Sequence, residues 1–391
     1  MKNITREQSN YFTLHKQHLT EDSKTDNIIQ IVKDIGGLHA TSSTTPYISL
    51  FARTKNFTKE DLDRELYVKK NLGKIRCVRK TVYILTREMI PIAYSATKNM
   101  IEPTSEHYAT YLGVNKKQYQ QISKQILKIL KGKGMTTNEI KKSLNTKLNI
   151  SAIVNLMCDQ GLLIRGKPKK GWKSNIHTYY LLNEYFPSIN LNSIEEAKAR
   201  KLLVKHYINS FGPVTETDIA WWTGLPKGQV KQILENLKDQ TSRLTLSNTE
   251  DTYILLRPDE KLLQTLKPKE KHTVNLLPSL DPYLMGYKER QRYLDQDHYD
   301  KVFDRSGNAT STILLDGKVV GVWDFTETPE PTVKIHLFKE AEETLAKEIR
   351  AKAQAIGKFI ASKDVRIKEC DAMTPLTQRT AGAVMSPLKK C

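Results

Sequence analysis

Between residues 135 and 182 the chain carries two helix patterns, MTTNEIKKSLN and ISAIVNLMCDQGLL, followed at once by a basic, β-rich stretch from Ile164 through GKPKKGWKSNIHTYYLL. Two short helices cannot bury their apolar faces alone, so the ribbon must close the small core. This order predicts a winged helix, and it constrains the fold more than any other feature because it recurs. In GPVTETDIAWWTGLPKGQVKQILENLK, Thr215 can cap one helix, Leu225-Pro226 breaks before the next, and LTLSNTEDTYILL supplies the ribbon. Nearer the N-terminus, DNIIQIVKDI places Ile28, Ile29, Val32 and Ile35 on one helical face and stops at Gly36-Gly37. Thr45-Pro46 then opens a helix through roughly Arg53, leaving Leu38 to Thr44 as a short connection. FTKEDLDRELYVKKN begins at a capping-type Thr58, and KIRCVRKTVYIL reads as a ribbon turning near Arg79-Lys80.

From about His272 the pattern becomes strand-rich. STILLDGKVVGVWDF holds Asp316-Gly317 between apolar runs, a two-residue hairpin signal, and FKEAEETLAKEIRAKAQAIGKFI reads as an amphipathic helix. The expected class is α+β: tandem winged-helix units with a C-terminal strand-rich, β-barrel-like domain. The corresponding boundaries are 1–115, 116–190, 191–270 and 271–370, with 371–391 as a flexible tail.

The 391 residues carry a formal charge of +19 at 39% hydrophobic content, so the basicity belongs to a chain able to build cores rather than to disorder. A polyanionic partner is implied. The lysines are spread over many segments with no separate basic amphipathic anchor, which favours nucleic acid over a membrane surface and leaves an acidic protein as the other class. The N-terminus lacks the apolar core of a signal peptide, and no stretch is long and apolar enough to span a bilayer; a cytoplasmic, monomeric protein is expected. Cys77, Cys158, Cys370 and Cys391 form no C-x-x-C pair, so reduced thiols are expected, with neither metal nor other cofactor.

In the ribbon of the 135–182 unit, Arg165, Lys167, Lys169, Lys170 and Lys173 surround Gly166, Pro168, Gly171 and Trp172. Clustered cations on flexible backbone suit phosphate contact, favoured here over a merely solvated loop. Lys124, Lys128, Lys131 and Lys133 form a helix-spaced row for which the two readings balance. Helix periodicity is expected to bury at least one of the Trp221 and Trp222 rings, a core role rather than base stacking, and His18 and His336 lack local partners and read as structural. His39-Ala40-Thr41 differs, because it follows a glycine-terminated helix. In an extended segment the imidazole and the hydroxyl point to one side and can share a water, although a loop-packing role is the better reading of the triplet alone.

KQHLT, GLHATSSTTPYISLFAR, FTKEDLDREL and RKTVYIL occur in the order seen in the winged-helix DNA-binding family that includes the AlkZ and YcaQ glycosylases, which the chain resembles. GPVTETDIAWWTGLP, LLPSLDPYLMGY and STILLDGKVVGVWDF extend the resemblance from about Ile4 to Trp323. It implies tandem winged helices around a concave surface for double-stranded, damaged DNA. It also implies metal-free hydrolysis of the N-glycosidic bond of alkylated or crosslinked purines. His39 and Thr41 match the family's catalytic Gln-x-Gln or Gln-x-Asp positions, and neither is the expected residue. Tyr83 stands at the family's hairpin histidine, whereas Thr81 is retained. Catalytic roles are therefore expected at His39 and Thr41, and DNA contacts at Arg79, Lys80, Thr81 and Tyr83. A non-catalytic regulator or damage-recognition factor is the alternative. A histidine base near its reference pKa of about 6.5, raised by phosphates, would give an acid limb to base release.

Overall fold

The computed structural model describes residues 2–247, 249–267, 272–380, 382–389 and 391, with side chains from residue 4 onward. The fold is α+β and divides into two compact units, both discontinuous in sequence: residues 1–27, 47–57 and 208–391 form the first, residues 28–46 and 58–207 the second.

In the second unit, the helix Lys116–Ile129 starts at Asn115, whose side chain accepts from the Gln118 amide in a capping box, and buries Ile122 and Ile126 one turn apart. Strand Met135–Thr136 follows, then helices Thr137–Ser143 and Ile150–Asp159 and the antiparallel ribbon Leu163–Pro168 with His177–Leu181. Ile150, Ile153, Val154 and Met157 repeat at helical spacing, and they pack with Ile126, Leu130, Ile140, Leu163 and Tyr179 in one core. Burial of each such side chain stabilises the fold by about 1.5–3 kcal/mol, and this closes three short helices that would not persist alone.

The same unit holds a second three-stranded sheet. Leu38–His39 pairs antiparallel with Val82–Thr86, which pairs on its other side with Leu72–Arg76. Helix Ile28–Asp34 leads into it through Gly36 and Gly37, whose φ angles are +75° and +94°. A Cβ on Gly37 would stand 2.5 Å from Leu85 Cδ2 and 3.0 Å from the Ile84 carbonyl oxygen, so only glycine lets the chain pass this close to the strand. The expected connection from Leu38 to Thr44 thus begins as a strand, stabilised by a pairing partner more than forty residues away.

In the first unit, Lys2–Ile4 lies parallel to Thr241–Leu246, which pairs antiparallel with Thr252–Leu256, while Val214 bridges to Ile254. Thr215 caps helix Glu216–Thr223 in a capping box with Asp218, and helix Lys227–Glu235 follows Pro226. Trp222 is buried, 5.7 Å from Phe211 between ring centroids. Arg53 and Asp281 form a fully buried bidentate pair at 2.7 and 2.9 Å, to which Ser49 adds a 2.6 Å hydrogen bond.

The C-terminal strands Val274–Leu277, Thr312–Leu315, Lys318–Thr326, Thr332–Leu337 and Arg366–Glu369 lie in that order in one sheet, without closure into a barrel. The expected β-barrel-like domain is an open sheet, because the chain leaves Thr332–Leu337 through helix Glu343–Ala361 and returns parallel at the edge. Asp316 and Gly317 both take positive φ in the expected hairpin turn. Beyond Glu369, two further readings are corrected. Cys370 and Cys391 form a disulfide, so only Cys77 and Cys158 are free thiols, and Leu376, Ala383, Val384 and Leu388 are buried where a flexible tail was expected. Apolar residues spaced through this segment give it a small core of its own.

Candidate active site and DNA-contact residues

His39 is the last residue of its strand and lies directly across from Tyr83, which in turn faces Ile75. The imidazole and phenol rings are 5.3 Å apart at 60°, and both residues are almost fully buried. The Ala40 amide still donates to the Val82 carbonyl at 2.7 Å, after which the chain bends. Thr41 therefore lies beyond the strand and is exposed, and the extended alternation that would have put its hydroxyl beside the imidazole is not present.

His39 Nδ1 is buried and has no hydrogen-bond partner among the described residues. Burial, with a smaller contribution from the Arg79 charge, pulls the imidazole pKa down to about 3. His39 is thus neutral across the physiological range, and the expected rise of its pKa is reversed in the protein itself because desolvation outweighs every other influence. Burial also pushes the Tyr83 phenol up, against the Arg79 charge and a hydrogen bond involving the Thr81 side chain. The Arg79 charge acts on both the His39 and Tyr83 rings, and Cys77 acts on Tyr83.

Arg79 and Lys80 form the expected turn. Both take left-handed backbone, with φ of +53° and +57°, held by Lys80 N–H donating to the Cys77 carbonyl at 3.0 Å and Cys77 N–H donating to the Thr81 carbonyl at 3.0 Å. Lys80 is exposed, Arg79 half-buried, and the Thr81 hydroxyl donates to the Val78 carbonyl at 3.2 Å. The geometry gathers His39, Tyr83, Arg79 and Thr81 at one end of one small sheet and leaves Thr41 outside the group.

The basic ribbon divides into different environments. Arg165 is buried at the base of its strand and donates to Asn155 Oδ1 at 2.8 Å, which removes it from the expected phosphate contacts. Its strand position turns it onto helix Ile150–Asp159. Lys167 pairs with Asp63 at 3.0 Å and Lys169 with Glu139 at 3.0 Å, whereas Lys170 is exposed without an ion pair among the described residues. Trp172 carries Lys59 over its ring at 4.8 Å and Lys173 at 5.7 Å.

Two groups, Lys74, which is buried, and Arg76, which is partly exposed, carried no local sequence signal. Lys74 donates to the Tyr67 hydroxyl at 2.7 Å and is pulled down to about 8 by burial, Asp63 opposing the shift and Arg165 adding to it. Arg76, the last residue of its strand, donates to Asp159 at 3.0 Å and to the Ser105 hydroxyl at 2.9 Å. Burial raises Asp159 even so. Lys74 and Arg76 are two apart on a strand, so both project from one face; their partners come from other elements and could not be read from spacing.

Among the described residues no group of three or more potential ligands forms a metal site, and no helix is long and apolar enough to cross a membrane. A family model for AlkZ-like DNA glycosylases matches residues 32–359. An interstrand DNA cross-link repair glycosylase of Streptomyces sahachiroi is 22% identical over 340 residues, covering 82% of this chain and 90% of that protein. The solved structure of Streptomyces sahachiroi DNA glycosylase AlkZ superposes with a TM-score of 0.76 at 19% identity, over 95% of this chain and 100% of that one, a likeness of fold. With its sequence matched over most of its length, the chain belongs to the family of AlkZ-like DNA glycosylases.

Proposed function

We propose that this protein is a monofunctional DNA glycosylase that hydrolyses the N-glycosidic bond of alkylated or crosslinked purines in duplex DNA, with His39 orienting the attacking water. The observation that carries this reading is the buried, neutral imidazole with an unpartnered Nδ1, placed beside Tyr83 where the family resemblance puts a water-positioning side chain. An imidazole with so low a pKa is a weak base and serves by hydrogen bonding. N3- or N7-alkylpurines carry positive charge and leave as neutral bases, so no proton need be delivered to the leaving group. Water adds to the sugar C1′ as the bond to the base breaks, and its proton passes to solvent. The Streptomyces relative is an interstrand DNA cross-link repair glycosylase, which favours crosslinked purines among the candidates. The helix–strand–helix–helix–ribbon order supports reading residues 116–190 as a winged helix, with Lys167, Lys169, Lys170 and Lys173 toward the backbone of DNA.

Incubation with duplexes carrying N3-alkyl, N7-alkyl and crosslinked purines tests the reading. Free base and an abasic strand are expected, and His39→Ala should abolish them while retaining binding. No product from any of these lesions would overturn it. One observation favours a non-catalytic DNA-binding role instead: Thr41 is set apart from His39. In that case His39→Ala leaves both binding and biological effect intact.

A further inference from the structure

We propose that the seam between strands Leu72–Arg76 and Leu163–Pro168 is a seat for a backbone phosphate of DNA, and that Asp63 occupies it in the DNA-free protein. The assignment rests on the DNA-binding part of the reading above and is independent of the hydrolytic part.

Lys74 is buried, yet among the described residues it makes no ion pair; its ammonium donates to a neutral phenol, Tyr67, at 2.7 Å. A buried ammonium without an anion is costly, and an apolar side chain would serve a core better. Arg165 and Lys167 approach from the facing strand, and Asp63 is the carboxylate that acts on Lys74. His177, opposite Pro168 in the ribbon, is held neutral by burial beside Lys74 and Arg165, and its Nδ1 is buried with no partner among the described residues. Lys74 and Lys167 thus share one carboxylate, with the Arg165 charge and the His177 imidazole beside Lys74.

The seam opens toward solvent at that carboxylate. Lys167 is 60% exposed and Asp63 25% exposed, so their 3.0 Å pair contributes little and can be exchanged. A phosphodiester offers the same charge as Asp63 with two accepting oxygens, one for Lys74 and one for Lys167. It need not match a base. Because Lys167 belongs to the basic ribbon, a strand lying along that ribbon passes this point, which selects a DNA phosphate over an acidic protein side chain.

The test is fluorescence anisotropy with a short labelled duplex as a function of KCl. Asp63→Asn should bind roughly three- to tenfold more tightly than wild type. Lys74→Gln should bind more weakly, with a log–log salt slope smaller by roughly 0.9 for the lost contact, and in the double variant the gain from Asp63→Asn should vanish. Asp63→Asn binding no tighter than wild type overturns the proposal, and this arm stands even if Lys74→Gln fails to fold. Inorganic phosphate is the second probe. If it raises the melting midpoint of wild type but not of Lys74→Gln, while duplex affinity is unchanged in both variants, the seat belongs to free phosphate and the proposal also fails. Absence of base release would sink the glycosylase reading and leave these binding outcomes as they are.

Discussion

The imidazole of His39 faces the phenol of Tyr83 across a strand pair at 5.3 Å, and this cross-strand neighbour helps to shield the histidine from bulk solvent and so disfavours its charged form. A pKa of about 3 leaves His39 neutral from pH 5 to 8. The rate of base release should therefore show no inflection belonging to His39 in that range, and His39→Gln should keep the wild-type profile at a reduced rate. Single-turnover rates at half-unit pH steps check this. An acid limb near pH 6–7 that disappears in His39→Gln would show instead that the histidine acts as a base.

Lys170 makes no ion pair among the described residues, whereas Lys167 and Lys169 each pair with a carboxylate. Lys170→Ala should weaken binding to unrelated duplexes alike and lower the log–log salt slope by roughly one unit. Lys169→Ala should do less, because Glu139 already offsets its charge. Equal slopes for wild type and Lys170→Ala would return the loop to a solvated surface.

Acid should destabilise the second unit. His39, His177 and His206 are depressed to about 3, 4 and 4 by burial, while their unfolded values lie near 6.5. The unfolded chain then binds protons first as pH falls, so the stability these groups contribute is complete above about pH 6.5 and is lost toward pH 4, at up to about 1.4 kcal/mol per pH unit for each. Asp324, raised to about 6 by burial in the first unit, has the opposite sign, since the native state takes up its proton first. Hydrogen exchange at pH 7.5 and 5.0 should show protection falling more in residues 58–207 than in the C-terminal sheet; the reverse order would contradict the assignment.

Removing one partner of the buried Arg53–Asp281 pair leaves an uncompensated charge in the interior. Asp281→Ala should cost about 3–5 kcal/mol by denaturant unfolding, far more than Asp63→Ala at its half-exposed pair. A loss below about 1 kcal/mol would mean that water reaches Arg53.

What could be read from the sequence was whatever depends on local backbone chemistry. Gly36-Gly37, Thr58, Thr215 and Asp316-Gly317 each mark a stop, a cap or a turn where the structure has one. The candidate site was legible only as positions. His39 owes its neutrality to a strand forty-four residues away in sequence, and Thr41 leaves the site because that pairing ends one residue after His39. Arg165 looked like its neighbours in a basic run until its strand turned it onto Asn155. Neither the Lys74 environment nor the bond joining Cys370 to Cys391 has a spacing that marks it, since both depend on partners brought together by tertiary folding.

The parallel pairing of Lys2–Ile4 with Thr241–Leu246 sets a schedule for the newborn chain. At a synthesis rate of about 5–20 residues per second, the N-terminal strand waits on the order of 12–50 s for its partner to leave the ribosome. Helix Arg6–Lys16 shares that wait, because its Phe12 packs with Leu244, Leu246 and Leu255. Residues 58–207 have emerged in full by then and can fold, so this strand and helix, made before them, find their places after them.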